Sequence, residues 1–259
     1  MSKSIYPKLK FLIVLFVLVT ASLLCMFAVP ANNHIAAKPL AANLASVADS
    51  ATVRSGYERF LSLYDQLNLD SLELSQEAFI YGLRGYQQLV DQGAVKNRQI
   101  ISIVDFSLPS TKKRLFVIDL ESGRLLFNTL VSHGKNSGTD MATRFSNELN
   151  SFQSSLGFYV TGDTYKGEHG YSLRLDGKEK GINDRAYSRA IVMHAADYVN
   201  EKVIQVKGYL GRSLGCPAVP PAVHKAIINT IKDGSCLFVY SPDSNYISRS
   251  AMIAQPLMG

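Results

Sequence analysis

From about residue 98 onward the chain runs in short apolar stretches of strand length: QIISIVDF, RLFVIDL, RLLFNTLVS, LGFYVTG, YSLRLDG, AIVMHA and CLFVY. Turn material such as Pro109-Ser110 and Ser122-Gly123 separates them. Before residue 98 the period is different. Tyr57, Phe60, Leu61, Tyr64 and Leu67 recur at helical spacing, and so do Phe79, Leu83, Tyr86 and Val90. Ser75 stands where an N-cap is needed, Glu77 falls in the first turn, and Gly93 follows the last apolar position, which bounds the second helix. A further helix is expected in PPAVHKAIINTIKDG, opened by its prolines and closed by Gly234. The pattern predicts a mainly β fold with α additions (α+β), a β-sandwich or barrel-like domain preceded by a helical hairpin packed against it.

The start of the chain follows other rules. Residues 11–29, FLIVLFVLVTASLLCMFAV, carry no charge and follow Lys3, Lys8 and Lys10. Lysines before an apolar run hold the N-terminus on the cytoplasmic side while the run enters the membrane. Cleavage after Ala31, with Val29 at the −3 site, makes 1–31 a signal peptide; retention makes it an N-terminal membrane anchor, since a helix this long nearly spans a hydrocarbon layer of roughly 30 Å. Both readings place the protein in the periplasm or cell envelope. Residues 32–52, rich in Ala, Asn and Ser, read as a linker, 53–97 as the helical hairpin, 98–245 as the main domain and 246–259 as a C-terminal tail.

Composition narrows the function classes. With 47% hydrophobic and 19% charged residues, 18 Gly and 9 Pro in 259, the chain is neither disordered nor fibrous. The formal net charge is +6, yet three of the positive charges belong to the leader, so the balance gives no footprint for nucleic acid. No phosphate-cradling glycine loop or dinucleotide fingerprint occurs. His194, Cys216 and His224 lack the paired spacing of a structural zinc site, so neither metal nor cofactor is expected.

Export leaves Cys216 and Cys236 as the cysteines of the mature chain. In an oxidising compartment the two can pair; alternatively one is reactive and the other a small core residue. Cys236 sits in the apolar run SCLFVY, whereas Cys216 sits in GRSLGCPAVPP. The run Gly211-Arg212-Ser213-Leu214-Gly215 matches the elbow of serine hydrolases, but the Cys-Pro-Ala-Val-Pro-Pro after it does not continue as the required helix. A thiolate nucleophile needs a base and stabilised negative charge. Gly215 opens room for main-chain N–H groups, Arg212 adds positive potential, and His194 ends an apolar run 22 residues upstream, where an imidazole is a suitable proton acceptor. A papain-like order is the reverse, nucleophile before histidine.

A strand-end His, about twenty residues and then S-x-G-C resembles the L,D-transpeptidase (YkuD-like) family, in its murein L,D-transpeptidase catalytic domain subgroup. IVDFSLPS, VSHGKNSG, FSNELNSFQSSLGFYVTG, HGYSLRLDG and IVMHAADYV add to the likeness, over roughly residues 98–242. The resemblance implies Cys216 as nucleophile and His194 as its base, with N–H groups around Leu214, Gly215 and Cys216 at the oxyanion. It implies a peptidoglycan L,D-transpeptidase that acts on stem peptides through a thioester and releases D-alanine. The alternatives are an L,D-carboxypeptidase on the same stems or an inactive peptidoglycan-binding module. Leu214 replaces a histidine common in the family, and Pro217, Ala218 and Val219 replace its polar residues after the cysteine. Arg174 and Arg212 are candidate contacts for stem carboxylates, His133 and His169 candidate cleft residues, and Ser213 a residue that orients the loop or His194. Peptidoglycan stems are thus the expected partner, with membrane contact only through an uncleaved leader.

Overall fold

A computed structural model describes residues 51–254. The leader at 1–31, the linker up to residue 50 and the last five residues of the chain lie outside the described residues.

Helix α1 spans Ala51–Gln66 and α2 spans Gln76–Asp91. Ser75 caps α2, its Oγ accepting the Ala78 N–H at 3.3 Å, and Gly93 closes the helix in the left-handed conformation (φ 69°). The helix lies close on the sheet because of its glycines. A methyl group at Gly85 would overlap the Phe158 ring, and one at Gly82 would come within 3.2 Å of Ile103. Glycine inside a helix costs about 1 kcal/mol relative to alanine; here the packing of Phe79, Ile80 and Leu83, each at most 1% exposed, offsets it.

The strands are β1 (Ile100–Asp105), β2 (Leu115–Asp119), β3 (Arg124–Thr129), β4 (Gly157–Gly167), β5 (Gly170–Gly177), β6 (Val192–Ala195), β7 (Ala218–Val219) and β8 (Cys236–Tyr240). They form one sheet in the order β3-β2-β1-β8-β4-β5-β6-β7, with β1–β8 and β6–β7 parallel and the other neighbours antiparallel. Its two edges approach each other. Beyond β3 the Ser132 N–H donates to the Ala218 carbonyl of β7 (2.9 Å), and Gly134 bridges to Ser213. The fold is therefore α+β and barrel-like, a single curled sheet rather than a sandwich of two. Its core includes the stacked rings of Phe158 and Phe238, 4.2 Å between centroids.

Helices α3 (Glu201–Lys207) and α4 (His224–Ile231) flank β7 in the chain, and α5 (Ser244–Arg249) and α6 (Ala251–Ala254) follow β8. The last two correct the reading of residues after 245 as a tail. Tyr246, Met252 and Ile253 are buried, the Arg84 guanidinium donates to the Ile253 carbonyl (2.5 Å), and the buried Glu179 carboxylate accepts from Tyr246 (3.0 Å) and Ser250. The segment is too short and too mixed in period to declare itself as helix; its burial depends on partners from α2 and the loop after β5.

Candidate active site

The turn Ser213–Cys216 is built by the closing edges of the sheet. Ser213 N–H donates to the His133 carbonyl (2.9 Å), and Lys135 N–H returns to the Ser213 carbonyl (2.8 Å). Inside the turn Ser213 Oγ donates to the Cys216 carbonyl (2.6 Å) and accepts the Gly215 N–H (3.0 Å). Ser213 is thus a loop organiser with its hydroxyl fully used. Gly215 is required for two reasons: its φ is 126°, and a Cβ there would stand 2.8 Å from the Gln153 carbonyl oxygen. Leu214 is 59% exposed at the rim, while Pro217, Ala218 and Val219 turn inward.

Cys216 is half-buried and not disulfide-bonded; Cys236 is a buried thiol in β8, so the two do not pair. The Cys216 Sγ accepts the Val192 N–H at 3.4 Å and donates to the Ala190 carbonyl at 3.5 Å. Ala190 holds the left-handed conformation (φ 52°), unusual for a residue with a side chain. Burial pushes the Cys216 thiol up from its ordinary value; the Val192 N–H and the Arg189 charge pull against that without cancelling it. The resting thiol is therefore not acidic, contrary to what a preformed thiolate would require.

His194 lies near the end of β6 and pairs with Ala218 of β7, two residues along the chain from Cys216. No hydrogen bond joins the His194 and Cys216 side chains. His194 Nδ1 is 2.8 Å from the Ala195 carbonyl, which only accepts, so the neutral ring carries its proton on Nδ1 and leaves Nε2 basic. Its ring is buried (3% exposed) and stacks on that of His169, from the exposed turn between β4 and β5. Burial chiefly, then the neighbouring His169, pushes His194 below the usual histidine value, with the Ala195 bond opposing.

The other expected residues divide. His169 joins the site. Arg174 occupies its sheet face, half-buried between Tyr165 and Tyr187. Arg212 donates to the carbonyls of Lys135 (3.3 Å) and Gly138 (2.9 Å) and rests over Tyr209, so it braces the loop. His133 is a correction: it is 0% exposed and cannot line a cleft. Arg114, buried beside it, donates to its Nδ1 (2.7 Å), which leaves Nε2–H for the Gly138 carbonyl (3.3 Å). Of the three main-chain donors expected at the oxyanion, the Gly215 N–H is taken by Ser213, whereas those of Leu214 and Cys216 donate to no described residue.

Arg189 had no motif to announce it. Its guanidinium donates to the Ser146 carbonyl (2.6 Å), Ser155 Oγ (2.6 Å), Ser151 Oγ (3.1 Å) and the Gln153 carbonyl (2.6 Å). It thereby clamps segment 146–155 over Gly215 and sets a cation near Cys216. The serine-rich run FSNELNSFQSSL, with no apolar period of its own, was the available signal that something polar must hold it. Among the described residues no group of three or more His, Cys, Asp or Glu side chains is arranged to hold a metal ion.

The model of the L,D-transpeptidase catalytic domain family matches residues 70–240 of the chain. Solved structures similar to the chain include an L,D-transpeptidase from Mycobacterium smegmatis, 13% identical over 55% of this chain and 59% of that one, with a TM-score of 0.34. Another is the helical cell shape determining protein Pgp2 from Campylobacter jejuni, 12% identical over 66% and 58%, TM-score 0.40. A third is an L,D-transpeptidase from Stackebrandtia nassauensis, 13% identical over 66% and 69%, TM-score 0.34. The chain thus spans less than two thirds of the length of the Mycobacterium smegmatis and Campylobacter jejuni proteins. No curated protein matches the sequence.

Proposed function

The chain belongs to the L,D-transpeptidase catalytic-domain family, and from that premise we propose that it is a peptidoglycan L,D-transpeptidase with Cys216 as nucleophile and His194 as base. The observation that carries this reading is the cysteine in a braced turn, two residues before the strand position paired with a histidine whose Nε2 is free to take a proton.

In the resting protein the thiol is parked on Val192 and Ala190. Rotation about its Cα–Cβ bond brings Sγ toward His194. The thiol proton passes to Nε2, and the thiolate attacks the carbonyl carbon of the third stem residue. The oxyanion formed is met by the unspent N–H groups of Leu214 and Cys216; a donor so placed is commonly worth a hundredfold or more in rate. The tetrahedral species collapses by breaking the C–N bond to D-alanine, whose nitrogen takes the proton from the imidazolium. A thioester remains. An amine of a second stem, deprotonated by His194, attacks it and expels the Cys216 thiolate, which gives a cross-link; water in place of the amine gives a tripeptide. The apolar run behind Lys3, Lys8 and Lys10 supports a location of this activity in the cell envelope.

The test is D-alanine release from a purified tetrapeptide stem. Cys216→Ala is expected to abolish release and leave the fold intact, and a carbapenem is expected to add its mass to Cys216 of the unaltered protein. Full turnover by Cys216→Ala ends the assignment. Stem binding without turnover or acylation supports the inactive module, and tripeptide as sole product supports the carboxypeptidase.

A further inference from the structure

Arg174 is a guanidinium on the site face of the sheet whose hydrogen-bonding edge is free. Strand alternation sends Leu173 and Leu175 into the core, at 0% and 2% exposure, and so turns Arg174 to the opposite face. The register sets Arg174 against Val192, whose N–H holds the Cys216 sulfur, and His194 follows two residues along on that same face. The guanidinium carbon lies 4.5 Å from the centre of the Tyr165 ring and 5.6 Å from that of Tyr187. Tyr165 comes from β4, and Tyr187 comes from the loop before β6, where it stays 71% exposed.

Stacking occupies the faces of a guanidinium and leaves its edge, a planar fork of N–H donors, for hydrogen bonds. No hydrogen bond or ion pair to another described residue takes that edge. The neighbouring arginines differ: the fork of Arg189 is spent on segment 146–155 and that of Arg212 on two carbonyls. A half-buried cation set between two tyrosines, unpaired among the described residues and placed against the strand whose Val192 N–H holds the Cys216 sulfur, is suited to receive an anion.

We propose that Arg174, steadied between Tyr165 and Tyr187, is the specificity-determining residue that receives a carboxylate of the donor stem peptide beside Cys216. The proposal rests on the reading of the chain as an enzyme of peptidoglycan stems. A guanidinium fork and a carboxylate match in two parallel N–H···O bonds, which an amide cannot reproduce. A diaminopimelate-type stem has two carboxylates within reach of the scissile bond, one on the side arm of the third residue and one on the departing D-alanine. They share this chemistry, and amidation of one at a time separates them.

Binding is measured by calorimetry with Cys216→Ala protein, and turnover with Cys216 present, each with Arg174 and with Arg174→Gln. The probes are a tetrapeptide stem with both carboxylates free, its side-arm amide and its C-terminal amide. One amide is expected to bind roughly 10- to 100-fold more weakly than the free acid, as loss of a charge-assisted pair implies. Arg174→Gln is expected to weaken the free acid by the same factor and leave that amide unchanged. Arg174→Lys, which keeps the charge on an unforked head, serves as the folding control and is expected to retain part of the preference. Equal binding of all three peptides, a preference undiminished in Arg174→Gln, or no binding at all overturns the proposal. A preference lost in Arg174→Gln without D-alanine release by the protein that retains Cys216 upholds the subsite and overturns the enzymatic reading.

Discussion

The imidazole of His169 lies face to face with that of His194, ring centroids 4.3 Å apart and planes 18° from parallel. Two stacked imidazoles do not both take protons readily, and the cover of one ring keeps water from the other. Both effects favour the neutral form of His194, the form a base needs. His169→Ala is therefore expected to raise the His194 titration toward the ordinary histidine value and to move the acid limb of kcat/KM to higher pH. Proton NMR of the His194 ring reads the midpoint without reliance on turnover. An unmoved midpoint would show the stack to be incidental.

Arg189 supplies a positive charge that acts on Cys216 and also fastens segment 146–155. Arg189→Ala removes both at once. The thiol then rises further from neutrality, and its alkylation by iodoacetamide at pH 8 is expected to slow. Arg189→Lys restores the charge but not the forked bonds, so it is expected to recover the alkylation pH profile more fully than the melting temperature. Equal alkylation profiles in all three proteins would contradict the electrostatic role.

Ser213→Ala separates loop order from chemistry. The lost hydroxyl leaves the Cys216 carbonyl and the Gly215 N–H without partners in a largely buried turn, a cost of about 1–3 kcal/mol. The expected outcome is a lower urea midpoint together with reduced kcat, although the thiol and imidazole are untouched. A serine nucleophile would instead show as complete loss with Cys216 still open to alkylation and to carbapenem.

Local order was legible in the sequence and long-range polar order was not. Ser75 and Gly93 declared the ends of α2 because caps act within one turn. The strands declared themselves by apolar runs. His133 and His169 carry the same local signal, a following glycine in a polar stretch, yet one is sealed beside Arg114 and Phe106 while the other tops a hairpin. What separates them is tertiary: β2 delivers a buried arginine to the first, and β6 delivers an imidazole to the second. Arg189 was invisible for the same reason, since its four partners lie 34 to 43 residues away in a segment without period. Cys216 and His194 were legible only as a pair of types in order; the resting orientation of the thiol, toward Ala190 rather than the imidazole, depends on the left-handed turn at that alanine.

His133 gives the fold a pH dependence of its own. Burial, and next to it the charge of Arg114, push its folded value down to about 4. In the unfolded chain it titrates near 6.5. Between those limits the unfolded state binds a proton that the folded state refuses, so stability rises with pH across the window and is complete above about 6.5. As pH falls from 6.5 toward 4, this residue alone is expected to withdraw on the order of 3 kcal/mol. Urea midpoints at pH 7.5 and pH 4.5 measure the loss. His133→Gln keeps an acceptor for Arg114 and a donor for the Gly138 carbonyl but cannot take a proton in this range. Its midpoints should therefore differ less between the two pH values than those of the unaltered protein, even where both are lower. A pH difference of the same size in His133→Gln would show that His133 is not its source; the buried carboxylates Asp105 and Glu179 are no substitute cause, since their raised values favour the folded state in acid.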